Sequence, residues 1–227
     1  MPDSPQQPTP KLYVFADESA TNSPDEQTFV VAIVACDSEA LEKLENAVEA
    51  LERASGRLTR KWKNSGDRRE SRRLTYLAGL PKLAQLAGPF YWRPHEDRLQ
   101  ADVKTAETVV AAVKLRDPED VTRRVIVIDA LTKVSRDRMT VVFKHQDLHR
   151  REIREEARDA AGPVLRLADS LAGFLRHVHV GEAYAVAAWP KYQKLFVRVS
   201  SRLTMGYQNG ILMMHSLEHV PVEPWRR

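Results

Sequence analysis

A chain of 227 residues, 43% hydrophobic and 29% charged, carries enough apolar material for one packed core, below the roughly 250 residues at which single cores stop growing. Its formal net charge of +4 suits a polyanionic partner without requiring one. No stretch approaches the roughly 20 consecutive apolar residues of a membrane span, and the lone Cys36 precludes an intrachain disulfide, so the expectation is a cytoplasmic protein.

Residues 1–10 are polar and proline-rich, with no basic start or apolar stretch, and read as a flexible leader rather than a signal peptide. Lys11 to Asp17 (KLYVFAD) is an apolar run ending in acid, and Thr28 to Cys36 is β-branched and of strand length. The Ser, Asn, Asp and Pro between them mark a turn, which predicts an antiparallel hairpin. From Ser38, the expected N-cap, Leu41, Leu44, Val48 and Leu51 recur at helical spacing, with Gly56 past the end.

Leu58 to Arg73 is basic and aperiodic, the composition of an exposed loop. Arg57, Arg60, Lys61, Lys63, Arg68, Arg69, Arg72 and Arg73 are offset only by Asp67 and Glu70, and Trp62 lies among them. Lys61, Lys63, Arg68 and Arg69 are candidate phosphate contacts and Trp62 a candidate base-stacking residue. The alternative is an exposed loop whose Trp packs on the core.

A helix is expected over about Arg72 to Ala87, a short strand over Pro89 to Arg93, and a helix over Ala101 to Leu115. Arg123 to Asp129 (RRVIVID) is an unbroken apolar run, the pattern of a strand covered on both faces. Leu148 to Asp159 reads as a charged helix on which Arg150, Arg154 and Arg158 recur every fourth residue, among acids at pairing distance. His145 and His149 share this four-residue spacing without the glutamate of a zinc-peptidase motif. Pro163 opens an apolar helix to about Val178. Ala183 to Trp189, Lys194 to Ser200 and Ile211 to His215 are possible short strands, with Asn209-Gly210 as a turn. The whole describes an α/β domain over 11–182, with a C-terminal extension over 183–227 packed on it.

Asp17 and Glu18 end the first strand and Asp129 ends the most apolar one. If these strands run parallel and adjacent, the acids share the rim where open α/β sheets collect ligands. Asp169 stands inside VLRLADSLAGFL, among Leu165, Ala168, Leu171, Ala172 and Leu175. A carboxylate in such surroundings needs a partner, which is a cation, a helix N-terminus, or a basic side chain such as Arg123, Arg166 or Lys61. Three or four convergent acids suit Mg²⁺ or Mn²⁺, hard ions that support phosphodiester chemistry. For each acid alone, a strand-ending turn or a structural ion pair serves as well.

The motifs YVFADES, VIVID and VLRLADSLAGFLR, in that order, resemble the RNase H-like bacterial and phage family called domain of unknown function 3800, over roughly Tyr13 to Arg176. The resemblance implies an RNase H-like mixed sheet flanked by helices, here with extra C-terminal strands. It also implies that Asp17, Asp129 and Asp169 are metal ligands for a nuclease, with Glu18 completing the acidic pair. Lys61 matches a lysine that the family often has after its first long helix and is expected to neutralise a phosphate, while Thr59 stands where the family often has glutamate. The substrate implied is DNA or RNA, in a setting of defence or mobile elements. A catalytically inactive RNase H-like module binding nucleic acid or protein, and an enzyme acting on a small phosphorylated molecule, are the competing expectations.

Overall fold

In a computed structural model that describes residues 10–20, 28–56, 75–120, 122–129, 131–156, 161–184 and 203–217, the chain opens with the expected hairpin. Strand β1 (Lys11–Ala20) pairs antiparallel with β2 (Phe29–Asp37), Leu12 facing Asp37 and Ala20 facing Phe29. Helix α1 (Ser38–Ala54) follows, with Asp37 rather than Ser38 as its N-cap, and Gly56 just beyond its end takes a left-handed φ of 64°. Residues 75–78 are helical and lead into α2 (Leu80–Ala87), β3 (Phe90–His95), a single 3-10 turn (Arg98–Gln100) and α3 (Ala101–Arg116). Then come β4 (Arg123–Asp129), α4 (Lys133–His145), β5 (Arg151–Glu156), α5 (Pro163–Tyr184), β6 (Leu203–Gln208) and β7 (Ile211–Ser216).

The seven strands form one mixed sheet in the order β5-β4-β1-β2-β3-β7-β6. β4 and β5 run parallel to β1, and the other pairings are antiparallel. Alternate residues of the central strands feed two apolar cores. Phe15, Val30, Ala32, Val34, Val125 and Val127 pack under α1, α2 and α5. Leu12, Val14, Val31, Ile33, Ile126 and Ile128 pack under α3 and α4. β2 is buried from Phe29 to Cys36, which is why it reads as a continuous β-branched run rather than an alternation. The Asn209-Gly210 turn, both residues at positive φ, joins β6 to β7, and β7 extends the sheet from β3.

Three expectations need correction. Leu148 to Asp159 is not a charged helix, because Arg151–Glu156 is edge strand β5, paired in parallel with β4. A strand with one open edge keeps its charges in water, and such charges also discourage pairing with another chain. The four-residue recurrence of arginines therefore builds no helical face: Arg150 precedes the strand at φ 49°, Arg154 pairs with Glu152 two residues away, and Arg158 lies outside the described residues. His145 ends α4 while His149 lies beyond it, so they share no helix face. Finally, Ala183 belongs to α5 rather than to a strand. Helix α4 had no counterpart in the sequence reading. The remaining strand expectations at 185–189 and 194–200 lie outside the described residues.

Candidate functional site

β1 and β4 are parallel neighbours in the middle of the sheet, and their pairing runs to Ala16 opposite Ile128. Asp17 and Asp129 therefore come next, side by side, where the β1–β4 pairing stops and β4 ends; β1 itself runs on against β2 to Ala20, beyond the strand end expected at Asp17 and Glu18. The odd-numbered residues before them, Phe15 and Val127, face α5, so the alternation of side chains directs Asp17 and Asp129 to that face as well. Helix α5 crosses β1 and β2 there, with Leu165, Ala168, Leu171 and Ala172 in the core and Asp169 half-buried among them.

The electrostatics of Asp17 record this convergence. Its carboxyl is held well above the usual 3.8, first by burial, then by the negative charges of Asp169 and Glu18, and also by that of Asp129; the Glu18 backbone N–H acts in the opposite sense. That N–H donates to Asp17 Oδ1 at 2.7 Å. The other three expected acids thus each lie within electrostatic reach of Asp17. As they stand, no three His, Cys, Asp or Glu side chains among the described residues are close enough to share a metal ion.

Several contacts fix the scaffold of this site. Glu156 Oε2 accepts from Gly162 N at 2.6 Å, which sets the start of α5. Arg166 grips both carboxylate oxygens of Glu52 on α1, at 3.0 and 2.7 Å, and donates to Ala161 O at 2.7 Å. Farther along α5, Arg176 Nε donates to Ser19 Oγ at 3.3 Å. Asp169 is therefore carried on a helix tied to α1 on one side and to the end of β1 on the other. On the opposite flank, Leu131 N and Arg136 both engage Glu155 of β5, and Thr132 Oγ1 caps α4 through Ser135 N at 3.1 Å. These contacts hold the chain that leaves Asp129.

Two of the basic partners considered for Asp169 are committed elsewhere: Arg166 to Glu52, and Arg123 to Glu152 at 3.2 Å. Lys61, Trp62, Lys63, Arg68 and Arg69, together with Thr59 and Asp159, lie outside the described residues.

Glu18 points to the other face of the sheet. It is exposed, and its Oε2 accepts from the buried Thr105 Oγ1 of α3 at 3.5 Å. There it borders a cavity of about 380 Å³ whose walls also include Asp129, Arg98, Asp102 and Arg138. Sequence reasoning missed these last three. Arg138 was hidden because α4 was not recognised, although Thr132 as a cap and Met139 with Phe143 at i, i+4 were signals for that helix.

A scan against protein-family models finds no match for the chain, and a search of curated proteins finds no relative. Among the described residues, no helix is long and apolar enough to cross a membrane.

Proposed function

We propose that this chain is an RNase H-like, divalent-metal-dependent nuclease acting on DNA or RNA, of the kind represented by domain of unknown function 3800, and working in the cytoplasm. The observation that carries the proposal is the placement of Asp17 and Asp129 where the parallel pairing of β1 and β4 ends, beneath the helix bearing Asp169. The sheet supports it: of β3, β2, β1, β4 and β5, only β2 is reversed.

The donor set fits Mg²⁺ or Mn²⁺. All the candidate ligands are carboxylate oxygens, which hard divalent ions prefer, and a divalent ion would relieve the like-charge repulsion that helps hold the Asp17 carboxyl above its usual value. Asp17, Asp129 and Asp169 would hold it, with Glu18 assisting and Lys61 contacting the phosphate. A bound divalent ion supplies activation of water and stabilisation of the leaving oxygen in phosphodiester hydrolysis. The chain's own contribution is rigidity. Two neighbouring strands fix Asp17 and Asp129, and the ties of Arg166 and Arg176 fix the helix that presents Asp169.

The second reading, an inactive RNase H-like binding module, is favoured by one observation: no three ligands have already converged among the described residues. A thermal melt titrated with Mn²⁺ and Mg²⁺ separates the two readings, because an ion that binds only the folded state raises the melting temperature. The nuclease reading expects a rise that is lost in Asp169→Asn, followed by metal-dependent cleavage of oligonucleotides that is also lost in that variant. No rise at millimolar metal and no cleavage would favour the inactive module.

A further inference from the structure

The cavity on the α3/α4 side of the sheet joins the carboxylate site through two shared residues, Glu18 and Asp129. Its far wall is basic. Arg138 of α4 is 42% exposed at its side chain, and its Nη1 meets Asp102 Oδ2 at 3.3 Å. Asp102 is 12% exposed, and its other oxygen accepts from Val103 N at 2.8 Å. This nearly buried carboxylate aims one edge of the guanidinium while Arg138 offers a fork of five N–H donors in all. Arg98 and Ser135 line the same wall.

The rim carries Leu99, which at 86% is the most exposed of the large apolar side chains among the described residues. It sits on the 3-10 turn that Asp97 pins by accepting from Leu99 N at 3.1 Å and from Gln100 Nε2 at 2.7 Å. An apolar side chain in water, on a backbone held in place, beside two arginines and a hydroxyl matches the parts of a nucleotide. The guanidinium groups match the phosphate, Ser135 matches a sugar or phosphate oxygen, and Leu99 matches the face of a base. The size agrees, since about 380 Å³ lies at the lower end of the ~300–1,000 Å³ of small-ligand pockets. That is room for a single nucleotide.

From this arrangement we infer that the cavity is a nucleotide subsite for single-stranded nucleic acid, in which Arg98 and Arg138 hold a phosphate next to the one at the carboxylates and Leu99 packs against its base. The inference rests on the nuclease reading for the identity of the neighbouring site, and it moves the strand's path to the α3/α4 side of the sheet. Asp102 is then a positioning residue for Arg138.

The test is fluorescence anisotropy of the full chain with a fluorescein-labelled single-stranded oligodeoxynucleotide and with the blunt duplex of the same sequence, in Ca²⁺ and again in chelator. Wild type is compared with Arg98→Glu, Arg138→Glu and Leu99→Ser. Each arginine reversal should weaken single-strand binding by about tenfold or more, as loss of a charge-assisted contact does. Leu99→Ser should weaken it less, and the duplex should bind more weakly than the single strand. Arg98→Glu and Leu99→Ser, at exposed positions, are expected to melt like wild type. Arg138→Glu sets a second negative charge beside the nearly buried Asp102 and is expected to melt lower, so Arg138→Gln carries the comparison at that position, and Arg98→Gln replaces Arg98→Glu if its melt is lowered. Arginine variants that bind like wild type, or a duplex bound as tightly as the single strand, would overturn the subsite. Mn²⁺ melts of the same variants keep the two proposals apart. Metal stabilisation with unaltered oligonucleotide binding removes the subsite and leaves the metal site. Weakened binding with no metal response in any protein does the reverse.

Discussion

Asp17 and His95 titrate in opposite senses, and each reports on its surroundings. His95 of β3 stacks on Phe29 and shares a hydrogen bond of 2.9 Å with Thr108 of α3. Burial first, and then the positive charges of Arg93 and Lys104, lower its pKa from 6.5 to about 4. The unfolded chain therefore binds the proton more tightly, and the stability this neutral ring contributes is full above about 6.5 and is lost as pH falls toward about 4. His95→Gln should lose less melting temperature than wild type between neutral and mildly acid pH. Thr108→Val, which removes the ring's partner, should cost about 1–2 kcal/mol in denaturant unfolding at neutral pH. Asp17 runs the other way. Its folded pKa is raised, so in metal-free protein the stability tied to its protonation is present in acid and is lost as pH rises through that folded value. Asp17→Asn should accordingly melt higher than metal-free wild type at neutral pH, while losing any response to Mn²⁺. A lower melting temperature for the variant would mean that the negative charge is matched by a cationic partner.

Among the elements, α5 combines a long apolar face with polar ties. Glu52 is only 8% exposed, and Arg166 holds both of its oxygens. Arg166→Met would leave this carboxylate without that grip, at a cost of about 2 kcal/mol, or about 5 °C in melting temperature for a chain of this size. Restoring the balance with Glu52→Gln in the same chain should recover part of the loss. The elements also show where sequence patterns carry information. β1, β2, β4 and α5 were legible because burial on both faces, or around most of a helix, leaves long apolar runs. β5 was not legible. REIREE has one apolar residue, and its charges fit a solvated helix equally well, so only its pairing with β4 decides the conformation. Helix α4 was missed for a related reason: it buries only Met139 and Phe143, too narrow a stripe to stand out from its basic residues.

At the scale of the molecule, one sheet separates two cores, and β2 contributes to both, with Val34 on one side and Ile33 on the other. Such an arrangement should unfold as a unit. Val34→Ala and Ile33→Ala, each expected to cost about 1–4 kcal/mol, should both move a single calorimetric transition, and a second transition in either variant would mean that the two layers melt independently. The candidate site was legible in part at this scale. Asp17, Asp129 and Asp169 stood out because acids ended apolar strands or interrupted an apolar helix, but the basic wall of the cavity did not. Arg98 and Arg138 come from distant segments that only the packing of α3 against α4 brings together. The parallel pairing of β1 with β4 has a consequence for how the protein is made. Everything from β2 to α3 is synthesised between these two partners, and Asp169 follows later still, so the candidate ligands become neighbours only after most of the chain has left the ribosome. Contacts this remote in sequence close slowly, and a nascent or prematurely ended chain lacking α5 also lacks Asp169 and so carries only part of the candidate site.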